Sequence, residues 1–138
     1  MTQRGLILLA HGARDPSWAA PFEAVAARAG ERAPEAEVRL AVLELMAPGL
    51  AEAGAELVRH GCVRIDVVPV FLGTGGHVRR DVPAQVAALR DAHPGTSWTL
   101  HAALGEAPHV IAALADAAID LAGFSFASGH SPLDGIGT

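Results

Sequence analysis

Apolar and polar residues fall along this chain in blocks of changing period. Residues 4–10, Arg-Gly-Leu-Ile-Leu-Leu-Ala, form a short unbroken apolar run, the pattern of a strand buried on both faces. From residue 16 to 33 the period changes: Trp18, Phe22, Val25 and Ala29 recur at helical spacing, Pro16 stands near the start, and Pro34 stops the pattern. Residues 36–43 alternate, with Val38, Leu40 and Val42 on one side, which predicts a less buried strand at a sheet edge. A helix is expected over about 48–60, with Leu50, Leu57 and Val58 inward and Gly61 as its stop. Residues 63–72 form a third apolar run, followed by a helix over about 82–92 with Val82, Val86 and Leu89 on one stripe. Residues 97–102 predict a fourth strand, and 108–122 a last helix with Val110, Ile111, Leu114, Ala118 and Leu121 inward. Strands alternating with helices imply an α/β domain with a four-stranded parallel sheet, right-handed crossovers and helices on both faces. The domain is expected over 1–123, with 124–138, rich in Gly, Ser and Pro, as a flexible tail.

Composition narrows the function classes. With 51% apolar residues in 138, the chain can bury a core without staples. Lys+Arg 10 against Asp+Glu 15 gives a net charge of −5, and every basic residue is Arg. That balance argues against a nucleic-acid binder, which needs a basic face. The single cysteine, Cys62, rules out a disulfide framework and a Cys-rich zinc site within one chain, and its place at a strand start reads as core. No apolar run approaches the ~20 residues of a spanning helix, and the first run is too short for a signal sequence. The expectation is a soluble, cytoplasmic protein that engages neither membrane nor nucleic acid.

The candidate chemistry lies where strands end. After the first run comes His11-Gly12-Ala13-Arg14-Asp15-Pro16; Glu44 follows the second; the third breaks into Gly73-Thr74-Gly75-Gly76-His77-Val78-Arg79-Arg80-Asp81. In a parallel sheet all strand C-termini share one rim, where open α/β sheets bind ligands. His11, Glu44 and His77 therefore converge on one edge. Two imidazoles suit a borderline divalent metal and leave positions open, and Glu44 can serve as a base. Gly73, Gly75 and Gly76 predict a loop whose backbone takes conformations closed to other residues, with Asp81 as a cap for the helix after it. Arg14, Arg79 and Arg80 flank the histidines, and arginine forks pair with carboxylates, which suggests a polycarboxylate ligand. The other histidines lack such a constellation: His60 and His93 close helices, His101 ends the fourth strand, and His109 and His130 stand alone. No nucleotide is expected: Val78 stands where a dinucleotide fingerprint needs its last glycine, and there is no Walker lysine. A Gly-x-Ser-x-Gly elbow is missing as well.

Together, His11-Gly12-Ala13-Arg14-Asp15-Pro16, Glu44 with Pro48, the stretch from Pro69 to Pro83, and Ala103-Leu104-Gly105-Glu106-Ala107-Pro108 resemble the small CbiX/SirB class of sirohydrochlorin chelatases. The resemblance covers residues 4 to about 122. One departure is Ala13, where the family usually has Ser. The resemblance implies a half-chelatase with flavodoxin-like βα order that inserts a divalent metal into a tetrapyrrole without ATP, releasing two protons. It implies a homodimer with the site between subunits, and His11 and His77 as the metal-binding and catalytic pair. Glu44 would share the proton transfer; Arg14, Arg79, Arg80, Gly75 and Gly76 would meet the carboxylate-rich substrate. The leading expectation is a sirohydrochlorin cobaltochelatase of cobalamin biosynthesis, taking Co²⁺, with Fe²⁺ or Ni²⁺ as alternatives. A ferrochelatase for siroheme and a non-catalytic metal or tetrapyrrole carrier stay open beside it. A histidine phosphatase ranks lower, because Ala10 stands where that fold needs an Arg before its histidine.

Overall fold

The computed structural model describes residues 3–124, so the expected tail lies, but for Phe124, outside the described residues. Four strands, β1 (Arg4–Ala10), β2 (Ala36–Val42), β3 (Arg64–Pro69) and β4 (Ser97–Leu100), alternate with helices α1 (Ala20–Arg32), α2 (Leu50–Arg59), α3 (Gly76–Ala92) and α4 (Pro108–Ala122). All strand pairs are parallel, in the order β2-β1-β3-β4. The expected open α/β architecture is the one observed, with β2 at an edge. Short 3₁₀ turns at Pro16–Ala19 and Leu104–Glu106 lead into α1 and α4, the first capped by the Asp15 side chain.

The core lies on one face of the sheet. Ile7, Leu9, Ala41, Ile65, Val67 and Trp98 point there and meet Leu50, Ala53 and Leu57 of α2 and Val82, Val86 and Leu89 of α3. Ile7, Leu9, Leu57, Ile65, Val67 and Val86 are fully buried, and each such side chain stabilises the fold by about 1.5–3 kcal/mol. The close fit depends on Gly54, since a methyl group there would crowd Trp98 and Leu89. On the other face α1 packs against β2. Its inward side is Phe22, Ala26 and Ala29, each half-buried, whereas Val25 is exposed.

Two expectations are corrected. The third helix begins at Gly76 rather than near residue 82, with Pro83 inside it. Proline there removes one backbone donor, which makes the sequence read as a helix start; the chain instead turns helical as soon as the glycine loop ends. Asp81 is thus a mid-helix residue and caps nothing; Gly75 is the cap, without a side-chain bond. The second correction concerns α4, none of whose residues is buried. Its main contact is the turn at Leu104–Glu106, and Ile111, Leu114 and Leu121 are exposed. Periodicity shows that a helix has an apolar stripe; it does not say what covers it.

Candidate functional site

The carboxyl rim is built by continuing the strand ladder past the strands. Beyond β1 and β2, the Leu43 N–H donates to the Ala10 carbonyl at 3.0 Å and the Glu44 N–H to the His11 carbonyl at 3.2 Å. Gly12 makes this closeness possible. Its φ is +97°, and a Cβ there would strike the Glu44 carbonyl oxygen. On the other side of β1, the Val70 N–H donates to the Leu9 carbonyl at 2.8 Å, so β3 also runs on to the rim. Phe71 then turns inward and stacks on His11, ring centroids 4.1 Å apart and 29° from parallel. Phe71 is itself pinned by Gly105, whose N–H donates to its carbonyl at 2.8 Å.

The strand order places β2 and β3 on either side of β1, and the three expected residues meet. His11, Glu44 and His77 line one cavity of about 230 Å³ with Leu43, Val78, Asp81 and Gln85. His77 is the second residue of α3, exposed at its side chain, and its Nε2 lies 2.9 Å from Asp81 Oδ2 one helical turn later. Among the described residues, no three His, Cys, Asp or Glu side chains are arranged as a ready-made metal site.

Val78 also lines a second cavity, of about 330 Å³, with Phe71, Thr74, Arg79, Pro83 and His101 among its walls. Arg79 belongs to this second space; Arg14 and Arg80 are exposed and line neither cavity. Gly73, Gly75 and Gly76 do not adopt positive φ, contrary to the expectation of a forbidden backbone shape. A Cβ at any of them would meet nothing within 4 Å. Their smallness keeps the rim open rather than enabling a turn.

Sequence reasoning missed Asp81 and Gln85 as cavity residues. The signal was present: residues 77, 81 and 85 recur at i, i+4 and i+8, one face of a helix begun at Gly76. His60 and His101 have structural partners: His60 Nδ1 pairs with Glu37 at 2.9 Å, and His101 Nε2 with Asp66 at 2.8 Å. Burial raises the Asp66 pKa, but hydrogen bonds from His101 and Arg4 outweigh it and hold the carboxyl below its usual range.

Fold and rim together define an open parallel α/β protein with a cleft at the strand C-termini lined by two imidazoles and two carboxylates. The CbiX family model matches residues 5–121, and the chain belongs to the CbiX family. Over 88 residues the chain is 33% identical to the sirohydrochlorin cobaltochelatase of Methanocaldococcus jannaschii, the match covering 64% of this chain and 62% of that one. The matched part thus spans less than two thirds of that relative's length. The fold superposes on a CbiX protein of Marinobacter aquaeolei VT8 with a TM-score of 0.76 and 33% identity, covering 86% of this chain and 97% of that one. It also matches the sirohydrochlorin chelatase SirB of Bacillus subtilis subspecies spizizenii, solved in complex with cobalt, with a TM-score of 0.70 and 23% identity. That match covers 87% of this chain but only 51% of SirB. Among the described residues no helix is long and apolar enough to cross a membrane.

Proposed function

We propose that the protein is a sirohydrochlorin cobaltochelatase acting in the cytoplasm in cobalamin biosynthesis, with Co²⁺ and the tetrapyrrole as substrates and no nucleotide. The observation that carries this reading is the shared cavity of His11, Glu44 and His77 in a CbiX-family chain. Metal insertion needs a site that holds the ion on few protein ligands and then releases it. His11 and His77 supply two nitrogen donors, and the remaining positions go to pyrrole nitrogens. Two pyrrole N–H protons must leave as the metal enters. Glu44, exposed beside His11, accepts one, and an imidazole vacated by the metal accepts the other. The open ground above Gly75 and Gly76 admits the macrocycle edge. Arg79, with Arg14 and Arg80 further out, pairs with its carboxylates. The cobalt relatives favour Co²⁺ over Fe²⁺ or Ni²⁺, since imidazole ligands alone do not discriminate among these ions.

The test is absorption spectroscopy of sirohydrochlorin mixed with the protein and Co²⁺, Fe²⁺ or Ni²⁺ in turn. Turnover beyond one equivalent, fastest with Co²⁺, is the expected result. No acceleration over the protein-free reaction would refute the enzyme reading, and binding of a single equivalent without turnover would leave a carrier. His77→Ala should abolish the acceleration.

The working unit in this reading is a homodimer. Helix α4 leaves Ile111 53% and Leu121 88% exposed, and on the outer sheet face Val68 of β3 is only half-buried. A second copy can cover both, each subunit's α4 seating on its partner, as twofold symmetry allows. Two chains of this length also match the extent of SirB, of which one covers half. Sedimentation should show a dimer, converted to monomer by Leu114→Asp combined with Leu121→Asp. A wild-type monomer at micromolar concentration would refute it.

A further inference from the structure

Two leucines stand bare at the carboxyl rim, Leu45 59% and Leu72 68% exposed. Each directly follows a residue that touches His11. Glu44, before Leu45, donates its N–H to the His11 carbonyl at 3.2 Å. Phe71, before Leu72, stacks its ring on His11 with centroids 4.1 Å apart. Glu44 continues the chain past β2 and Phe71 past β3, so the two leucines come from the strands on either side of β1.

A single exposed leucine is ordinary on a protein surface. Leu45 differs because it sits at φ +67°, alone in positive φ among the described non-glycine residues. That region suits Gly or Asn, and a bulky side chain is strained there. Glycine at this position would relax the backbone and uncover little, since most of Leu45 already faces water. The chain keeps a leucine here against both backbone preference and solvation, and the fold gains little from it. Strain of this kind gathers at binding sites, where a ligand makes use of it.

We propose that Leu45 and Leu72 are a pair of apolar supports for the face of the tetrapyrrole, one on each side of His11. The ring system is a broad apolar surface with its carboxylates at the periphery, so its face calls for carbon rather than charge beneath it. Supports on the two strands that flank β1 let the ring lie across the end of β1, with its central nitrogens toward His11. The identity of the macrocycle rests on the chelatase reading. A second copy of the chain fits the pair less well. A stable interface buries about 800 Å² on each partner, more than two leucines offer, and α4 with Ile111, Leu114 and Leu121 is the broader apolar surface.

The experiment is titration of the protein with metal-free sirohydrochlorin, followed by its fluorescence, with no metal present. Leu45→Gly and Leu72→Ala should each weaken binding about tenfold, the scale of a leucine side chain losing an apolar contact to water. Leu45→Met, which keeps an apolar chain of similar size, should recover most of that loss. Leu45→Gly should melt close to wild type, relaxed strain offsetting the freedom of glycine in the unfolded chain. Co²⁺ alone should bind both variants as it binds the wild type. Unchanged tetrapyrrole affinity in both variants would overturn the proposal. A fall in Tm beyond about 5 °C in Leu45→Gly would overturn it as well, since the leucine would then be holding its own loop. So would a dimer that dissociates in the double variant while each subunit still binds tetrapyrrole normally, an outcome that gives the leucines to a second copy. A wild type that binds tetrapyrrole through both leucines yet inserts no metal removes the chelatase reading and supports this one. Normal insertion with an affinity indifferent to both leucines does the reverse.

Discussion

Replacing Gly12 with alanine should unhook Glu44 from His11. Three costs follow from the local geometry. Gly12 sits at φ +97°, a backbone shape that strains an L-residue, at about 1–3 kcal/mol. The new methyl group would also overlap the Glu44 carbonyl oxygen, which is backbone and cannot rotate aside. Relief requires the strand beyond β2 to retreat, which breaks the bond from the Glu44 N–H to the His11 carbonyl, worth about 1 kcal/mol. The sum is about 2–4 kcal/mol, or roughly 10 °C in Tm for a domain of this size. If the protein is the chelatase proposed above, with Glu44 taking a pyrrole proton, metal insertion should fall further than stability explains, because the strain relaxes by moving Glu44 itself. The matched control is Gly75→Ala, at φ −73° with open space around it, which should leave the melting temperature nearly unchanged. Thermal melts followed by circular dichroism, with the Co²⁺ insertion rate on the same samples, decide the matter. If Gly12→Ala melts within about 2 °C of wild type and inserts metal at the normal rate, the argument that Gly12 joins the two residues is wrong.

Three further predictions concern the frame. Gly54→Ala should destabilise the protein despite the gain of about 1 kcal/mol from helix propensity, because its methyl group meets the Trp98 ring at 2.8 Å and Leu89 at 2.9 Å; a rise in Tm would contradict the packing described. Asp66, with its pKa lowered in the fold, contributes stability that is present above the unfolded value near 4 and lost as pH falls through its folded value. The gap in unfolding free energy between wild type and Asp66→Asn should thus be about 1 kcal/mol at neutral pH and shrink on acidification; a gap that widens in acid would reverse the sign argued here. Burial, helped by the Glu37 charge, pushes the Cys62 thiol up, so a thiol reagent at neutral pH should modify it only as fast as the protein unfolds, and fast labelling of the native protein would be inconsistent with its place in the core.

Much of the site was legible because a parallel sheet has only one carboxyl rim. Once four apolar runs are read as parallel strands, residues directly after them must share that rim, and His11, Glu44 and His77 follow. The misplaced start of α3 shows where such reading fails. Pro83 carries a strong local signal, and the unbroken helix from Gly76 depends on Val82, Val86 and Leu89 packing on the core. With the helix begun too late, Asp81 looked like a cap and Gln85 like surface.

From the amino-acid order alone came the elements, their parallel arrangement, the edge position of β2 and the residue types at the rim, since these depend on local periodicity and on the short reach of each connection. Tertiary structure decided which strands are neighbours, and so which side chains face each other. β2 and β3 flank β1, which brings Glu44 and Phe71 to opposite sides of His11. It decided that Gly12 allows a close approach while Gly75 and Gly76 keep space clear, a difference set by surrounding atoms rather than by glycine itself. It also left the stripe of α4 uncovered, because an apolar face is a property of one helix and its burial is a property of two surfaces.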